Sequence, residues 1–240
     1  MRYAILSDIH GNRDALEAVL EDIEQQVVDA CVCLGDIVGY GPEPAECLRT
    51  IQKYAGVTIA GNHDFAAANR LNISTFNVLA RAATLWTREA LDDEDIEYLA
   101  NLPLVASFGD FEVVHGTTHS PELFDYVQTS YDAHLAMSHM KCPVCFIGHS
   151  HIPVNFVQAE IISYSFDTEL RVPEGGRVIV NVGSVGQPRD RDPRSAYAVY
   201  DTEEKVVRLR RVAYDVEAVA EKIRKAGLPE QLGERLKLGR

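Results

Sequence analysis

Five short motifs carry most of the reactive side chains: Asp8-Ile9-His10, Gly35-Asp36, Gly61-Asn62-His63-Asp64, His115-Gly116 and Gly148-His149-Ser150-His151. Together they supply carboxylates, imidazoles and one side-chain amide. That donor mix suits a paired site for ions such as Mn, Fe, Zn or Ni, and a carboxylate can bridge two of them. Two ions held roughly 3.5–4 Å apart can clamp the attacking and the leaving oxygen of a phosphoryl centre. The residue set therefore points to hydrolysis of phosphate esters. No single motif decides this. Asp8 could cap a helix, Asp36 could sit in a turn, and Asn62-His63-Asp64 could form an Asx-turn. In the functional reading Asn62 aims its carbonyl oxygen at a metal, His63 gives a proton to a leaving oxygen, and Asp64 holds the His63 ring in orientation.

The weight lies in where the motifs fall. Tyr3-Ala4-Ile5-Leu6 leads to Asp8, Ala30-Cys31-Val32-Cys33-Leu34 to Asp36, and Val57-Thr58-Ile59-Ala60 to Asn62. Phe111-Glu112-Val113-Val114 leads to His115 and Cys145-Phe146-Ile147 to His149. Each apolar run reads as a buried strand ending in a turn, and an open α/β sheet presents its ligand-binding groups at the carboxyl ends of its strands. Between the strands, Leu16, Val19, Leu20 and Ile23 have helical spacing over Asp14 to Gln26. Pro42 and Pro44 open a second helix reaching about Tyr54. Residues 65–101 read as two or three helices inserted between the third and fourth motifs, able to cap the site. After His151 the spacing predicts five strands, Val154–Gln158, Ile161–Phe166, Arg177–Val182, Ala196–Tyr200 and Val206–Val212, in a second, mainly antiparallel sheet. A last helix is expected from Val216 to Ala226, stopped by Gly227. No linker or repeat interrupts the chain, so residues 1–240 are expected to form one domain.

In this order, Asp-x-His, Gly-Asp-x-x-Gly, Gly-Asn-His-Asp, His-Gly and Gly-His-x-His resemble the calcineurin-like metallophosphoesterase superfamily, over residues 5 to about 190. The segment Asn181-Val182-Gly183-Ser184-Val185-Gly186-Gln187-Pro188-Arg189 is similar to one in small bacterial phosphodiesterase-type members, many related to diadenosine tetraphosphatases. The resemblance implies a four-layer α/β/β/α sandwich of two mixed sheets flanked by helices. It implies that Asp8, His10, Asp36 and His151 hold one divalent ion. Asp36, Asn62, His115 and His149 would hold a second, with Asp36 bridging. His63 would contact the phosphate and protonate the leaving group, Asp64 would orient it, and a hydroxide between the ions would attack phosphorus. One departure bears on specificity. Where many phosphatase members carry an acidic residue or Arg after Gly-Asp-x-x, this chain has Gly39-Tyr40-Gly41, which argues against transferring protein-phosphatase specificity.

Composition narrows the partners. A net charge of −13 argues against sequence-independent binding of nucleic acid, which needs clustered Lys and Arg. No apolar stretch approaches the roughly 18 residues of a membrane helix, and Met1 runs straight into a strand without a signal-like leader. The five cysteines, an odd number, fit a reducing compartment. A cytoplasmic enzyme acting on a small phosphate ester or nucleotide is the expectation, with Mn the favoured ion and Fe, Zn or Ni alternatives. A phosphomonoesterase or dinucleoside-polyphosphate hydrolase on the same site is the second reading, and a non-catalytic scaffold the third. Asn12, Arg13 and Tyr40 follow ligand motifs and Arg189 follows the Gly-Ser segment; with Asn62 they are the candidates to contact substrate. The pair Cys142 and Cys145 matches C-x-x-C, but Cys145 opens an apolar strand and a structural role is expected.

Overall fold

The computed structural model describes all residues from Met1 to Arg240. In chain order the first half runs β1 (Arg2–Leu6), α1 (Arg13–Gln25), β2 (Ala30–Cys33), α2 (Pro44–Tyr54), β3 (Val57–Thr58), α3 (Asn62–Ala67), α4 (Val78–Ala90), α5 (Asp93–Ala100), β4 (Val105–Ser107) and β5 (Phe111–Val114). The second half runs α6 (Ser130–His139), β6 (Val144–Ile147), β7 (Val154–Gln158), β8 (Ile162–Ser165), β9 (Glu169–Arg171), β10 (Arg177–Asn181), β11 (Ser195–Asp201), β12 (Val206–Val212), α7 (Val216–Lys225) and α8 (Glu230–Leu238).

The strands form two six-stranded mixed sheets, ordered β3-β2-β1-β11-β12-β9 and β4-β5-β6-β10-β7-β8. Strand β1 shows why the apolar runs do not alternate. Ile5 faces the space between the sheets, where it packs with Val32, Phe111, Phe146 and Tyr200. Ala4 and Leu6 face outward onto Leu16, Val19 and Ile51 of α1 and α2. A strand covered on both faces must be apolar throughout, and each fully buried Leu or Ile contributes roughly 1.5–3 kcal/mol. The outer face of the second sheet is closed by α6, through Ala133, Ala136 and Met137 against Cys145, Ile147 and Phe156. The layers are therefore helix, sheet, sheet, helix, as the resemblance implies.

One expectation is corrected. The strands after His151 make no separate antiparallel sheet. They complete both sheets: β10 lies parallel to β6, and β11 lies antiparallel to β1. Alternation within a strand says which faces are covered but not which neighbour it will take. The chain also ends in a helical hairpin rather than one helix, since α8 follows α7. The hairpin packs Val219, Ile223, Leu232 and Leu236 against Tyr40 and Ala80. No helix is long and apolar enough to cross a membrane.

Candidate metal centre

Parallel strands β1, β2, β3, β5 and β6 end on one side of the molecule, and Asp8, Asp36, Asn62, His115 and His149 follow them directly. The turns there are tight. Asp8, His10, Asp36, His149 and His151 all have positive φ, between 51° and 65°. Left-handed backbone in non-glycine residues is costly, and it clusters where the surroundings over-determine a functional geometry. Two motif glycines are demanded by the crowding. A Cβ at Gly61 would stand 2.1 Å from Asp36 Oδ1, and one at Gly148 would stand 1.9 Å from Ser7 Oγ.

The donor atoms form two buried sets that share one residue: Asp8, His10, Asp36 and His151, and Asp36, His115 and His149. Within each set the atoms lie within 4.8 Å of one another. Asp36 is fixed for this double role. Its Oδ1 accepts the His63 backbone N–H at 2.7 Å, while Oδ2 faces His10 Nε2 at 3.7 Å and His115 Nε2 at 3.4 Å. Asp8 is divided in the same way. Its Oδ2 accepts the His149 N–H at 2.9 Å and its Oδ1 faces His151 Nε2 at 3.2 Å.

The imidazoles are held by their other nitrogens. His10 Nδ1 donates to the Val38 carbonyl at 3.1 Å, His115 Nδ1 to Leu34 at 2.8 Å and His151 Nδ1 to Gln187 at 2.6 Å. A carbonyl can only accept, so Nδ1 carries the hydrogen and Nε2 is left as a lone pair in the neutral ring. His10 Nε2 and His151 Nε2 then face each other at 3.1 Å, an arrangement that asks for a cation between them. Asp8 Oδ1, Asn62 Oδ1 and His115 Nε2 are likewise buried without a hydrogen-bond partner. Buried polar atoms are normally satisfied, and these lack partners where ligand atoms should point. The donor set fits a divalent metal site.

Electrostatics agree. Burial drives His10 well below the usual imidazole range and His149 down to about 3, so both rings are neutral and can offer a lone pair. His115 is the exception. Burial would lower it, but Asp36 and Asp8 outweigh that and raise it to about 9. Two buried carboxylates require a positive charge, which a proton on His115 supplies when no cation does.

His63 stands at the edge of both sets. Its ring lies 5.0 Å from His10, 4.5 Å from Tyr40 and 5.2 Å from Phe76 between centroids. Burial depresses it to about 4, opposed by Asp36 and reinforced by Arg189. The expected bond from Asp64 to this ring is absent, and His63 Nδ1 has no partner. Asp64 Oδ2 accepts the backbone N–H groups of Asp36 and Gly61 at 2.7 and 3.0 Å, and Oδ1 accepts those of Ile37 and Val38 at 2.9 and 3.3 Å. Its carboxylate braces the loop that carries Asp36. A carboxylate at the start of a helix bonds nearby free N–H groups, and here one belongs to the N-cap of its own helix and three to the facing loop.

Of the residues expected to contact substrate, the structure brings three to the site. Tyr40 and Asn62 line a cavity beside it. Arg189 places its guanidinium 5.7 Å from the Tyr40 ring and bonds Gln187 Oε1 at 2.8 Å. The other two are elsewhere. Asn12 caps α1, accepting from Ala15 N at 3.1 Å and donating to the Gly186 carbonyl at 2.8 Å. Arg13 points to the surface and pairs with Glu17 at 2.6 Å. The cavity holds about 330 Å³ and is lined also by Asn72, Phe76, Asn77, Phe124 and Tyr126, none of which the motifs indicate. Cys142 and Cys145 are free thiols; Cys145 is core and Cys142 donates to the Gly109 carbonyl at 3.4 Å.

A family profile described as the calcineurin-like phosphoesterase superfamily domain matches residues 1–205, which include every donor above. The chain belongs to that superfamily. It is a metal-dependent phosphoesterase, and its buried Asp and His clusters fit a divalent metal site. The crystal structure of a metallophosphoesterase from Sphaerobacter thermophilus is similar over 100% of this chain and 99% of its own, with 40% identity and a TM-score of 0.90. The uncharacterized protein MJ0912 of Methanocaldococcus jannaschii is 36% identical over 99% of this chain and 98% of its own length. The phosphodiesterase YfcE of Escherichia coli is 27% identical over 84% of this chain and 94% of its own. Helices α7 and α8 lie outside the matched span.

Proposed function

We propose that this phosphoesterase is a phosphodiesterase that uses two divalent ions, Mn foremost, on a small or nucleotide substrate. The observation that carries the reading is Asp36, one carboxylate shared by two complete buried donor sets. Asp8, His10, Asp36 and His151 would hold one ion, and Asp36, Asn62, His115 and His149 the other. When bound, such ions lower the pKa of water and neutralise charge growing on phosphoryl oxygens. The protein's own groups do the rest. His63 is neutral in the free site, and an anionic phosphate beside it would raise its proton affinity. It can therefore donate to the phosphate and pass a proton to the departing oxygen. Arg189, in reach of Tyr40, adds a fixed positive charge for a non-bridging oxygen. A diester is favoured because the cavity continues past His63 and His149, leaving room for a second ester group.

The test strips the protein of metal and reloads it singly with Mn, Ni, Fe and Zn. Hydrolysis of a bis-aryl phosphate is expected to depend on added metal, with Mn among the best and the diester preferred over the aryl monophosphate. Activity undiminished after exhaustive chelation, or none with any ion, overturns the reading. A preference for the monoester would transfer it to the second reading, a phosphomonoesterase on the same site.

A further inference from the structure

The cavity beside the metal centre is lined by 13 residues, among them Tyr40, His63, Asn72, Phe76, Asn77 and Tyr126. No Lys, Arg, Asp or Glu is among them, although 25% of the chain is charged. A charged group would find no side-chain counter-charge on this wall, so an uncharged group suits it better.

The walls are aromatic at the points nearest the reacting centre. Tyr126 stacks on His149 at 4.0 Å and 18°, yet remains 47% exposed. Phe76 faces His63 at 5.2 Å. Exposed aromatic surface inside a concave site marks a binding face for a flat apolar group. Polar groups stand among them with a defined sense. Asn72 Oδ1 accepts the Ser74 N–H at 2.9 Å, and Asn77 Oδ1 accepts the Ala80 N–H at 2.9 Å as the cap of α4. Each oxygen is therefore held by a backbone N–H, and each amide has its Nδ2 donors left to offer a ligand. The segment from Leu71 to Asn77 thus supplies a ring face and hydrogen-bond donors in one short turn.

We propose that this cavity is a nucleobase subsite: Phe76 and Tyr126 flank the base, and Asn72 and Asn77 donate to its acceptor edge. The substrate is then a nucleoside phosphodiester whose base sits beside His63 and His149. The proposal rests on the phosphodiesterase reading given above, and it adds the class of the ester group.

The test uses the metal-loaded full chain and three diesters with one leaving group, p-nitrophenolate. They are the methyl, benzyl and thymidine 5′ esters of p-nitrophenyl phosphate. Water adds to phosphorus, the bond to the aryl oxygen breaks, and only the retained group differs. The thymidine ester should exceed the methyl ester in kcat/KM by about 5–150-fold, the range one base–aromatic stack supplies. It should exceed the benzyl ester as well, because benzyl has no acceptor edge. Phe76→Leu keeps apolar volume but removes the flat face, and should lower the thymidine-to-methyl ratio about tenfold. Asn72→Asp and Asn77→Asp keep the oxygen that caps the chain and remove the donors, and should lower the thymidine-to-benzyl ratio. No hydrolysis of any ester with any ion sinks the phosphodiesterase reading itself. Hydrolysis of all three at equal efficiency leaves that reading standing and overturns the subsite. A thymidine preference untouched in every variant places the base elsewhere, and equal rates for benzyl and thymidine esters reduce the cavity to an aryl pocket.

Discussion

Asp64→Asn separates two roles for a residue that looks catalytic by position. The Asp64 carboxylate is fully buried and accepts four backbone N–H groups, two on each oxygen. An amide has one oxygen, so one pair of donors, either Asp36 and Gly61 or Ile37 and Val38, would meet an NH₂ group instead. Each buried donor stranded in this way costs about 1–3 kcal/mol, so the substitution should cost roughly 2–6 kcal/mol. Against a typical stability of about 5–15 kcal/mol the protein should still fold. Its Tm should fall by roughly 4–24 °C for a chain of this size. The loosened loop carries Asp36 at a φ of 51°, so both ions should bind less well. The assay is thermal melting together with metal content per chain after equilibration with Mn and dialysis. If the variant melts like the parent, keeps a full complement of metal and loses only turnover, the bracing role is wrong and Asp64 acts through His63 after all.

Three further outcomes are expected. Asp36→Asn should lower the content of both ions, whereas His10→Ala should mainly lower one; two ions retained in the Asp36 variant would remove its bridging assignment. His63→Ala should keep metal while turnover falls by about 10²–10⁴, with a smaller loss for an activated aryl ester than for an alkyl or nucleoside ester. Equal losses on both would make His63 a positioning residue, and lost metal would make it a ligand. Asp22 accepts Arg210 Nη2 at 2.8 Å and the Tyr197 hydroxyl at 2.6 Å. Burial alone would raise its carboxyl, but these bonds hold it below its ordinary value. Because the folded pKa lies below the unfolded one of about 3.9, the stabilisation is complete above that value and fades as pH falls through the folded pKa. Asp22→Asn should therefore cost about 1–2 kcal/mol at pH 7 and progressively less below pH 4 in urea titrations.

The chemistry was legible in the chain because it is local. Strand ends, turn glycines and the donors that follow them are contiguous in sequence, so Asp8, Asp36, Asn62, His115 and His149 could be placed at the carboxyl ends of strands before any fold was known. Glycines 61 and 148 even register the crowding that the ligands create. Other assignments depended on contacts between distant segments. The sequence neighbour of His63 turned out to hold the loop at 36–38, because backbone donors brought over by β2 reach its carboxylate first. Asn12 and Arg13 follow His10 directly, yet the first caps a helix and the second faces water once α1 begins. The strands after His151 were legible as strands but joined two sheets already begun earlier in the chain, since pairing partners are chosen by which edges remain open. The cavity walls, Phe76, Tyr126 and the two asparagines, sit in turns with no periodic signature. Local propensity and donor chemistry are written in adjacent residues, whereas a pocket is a relation between surfaces, and only the packed sheets and helices bring those surfaces together.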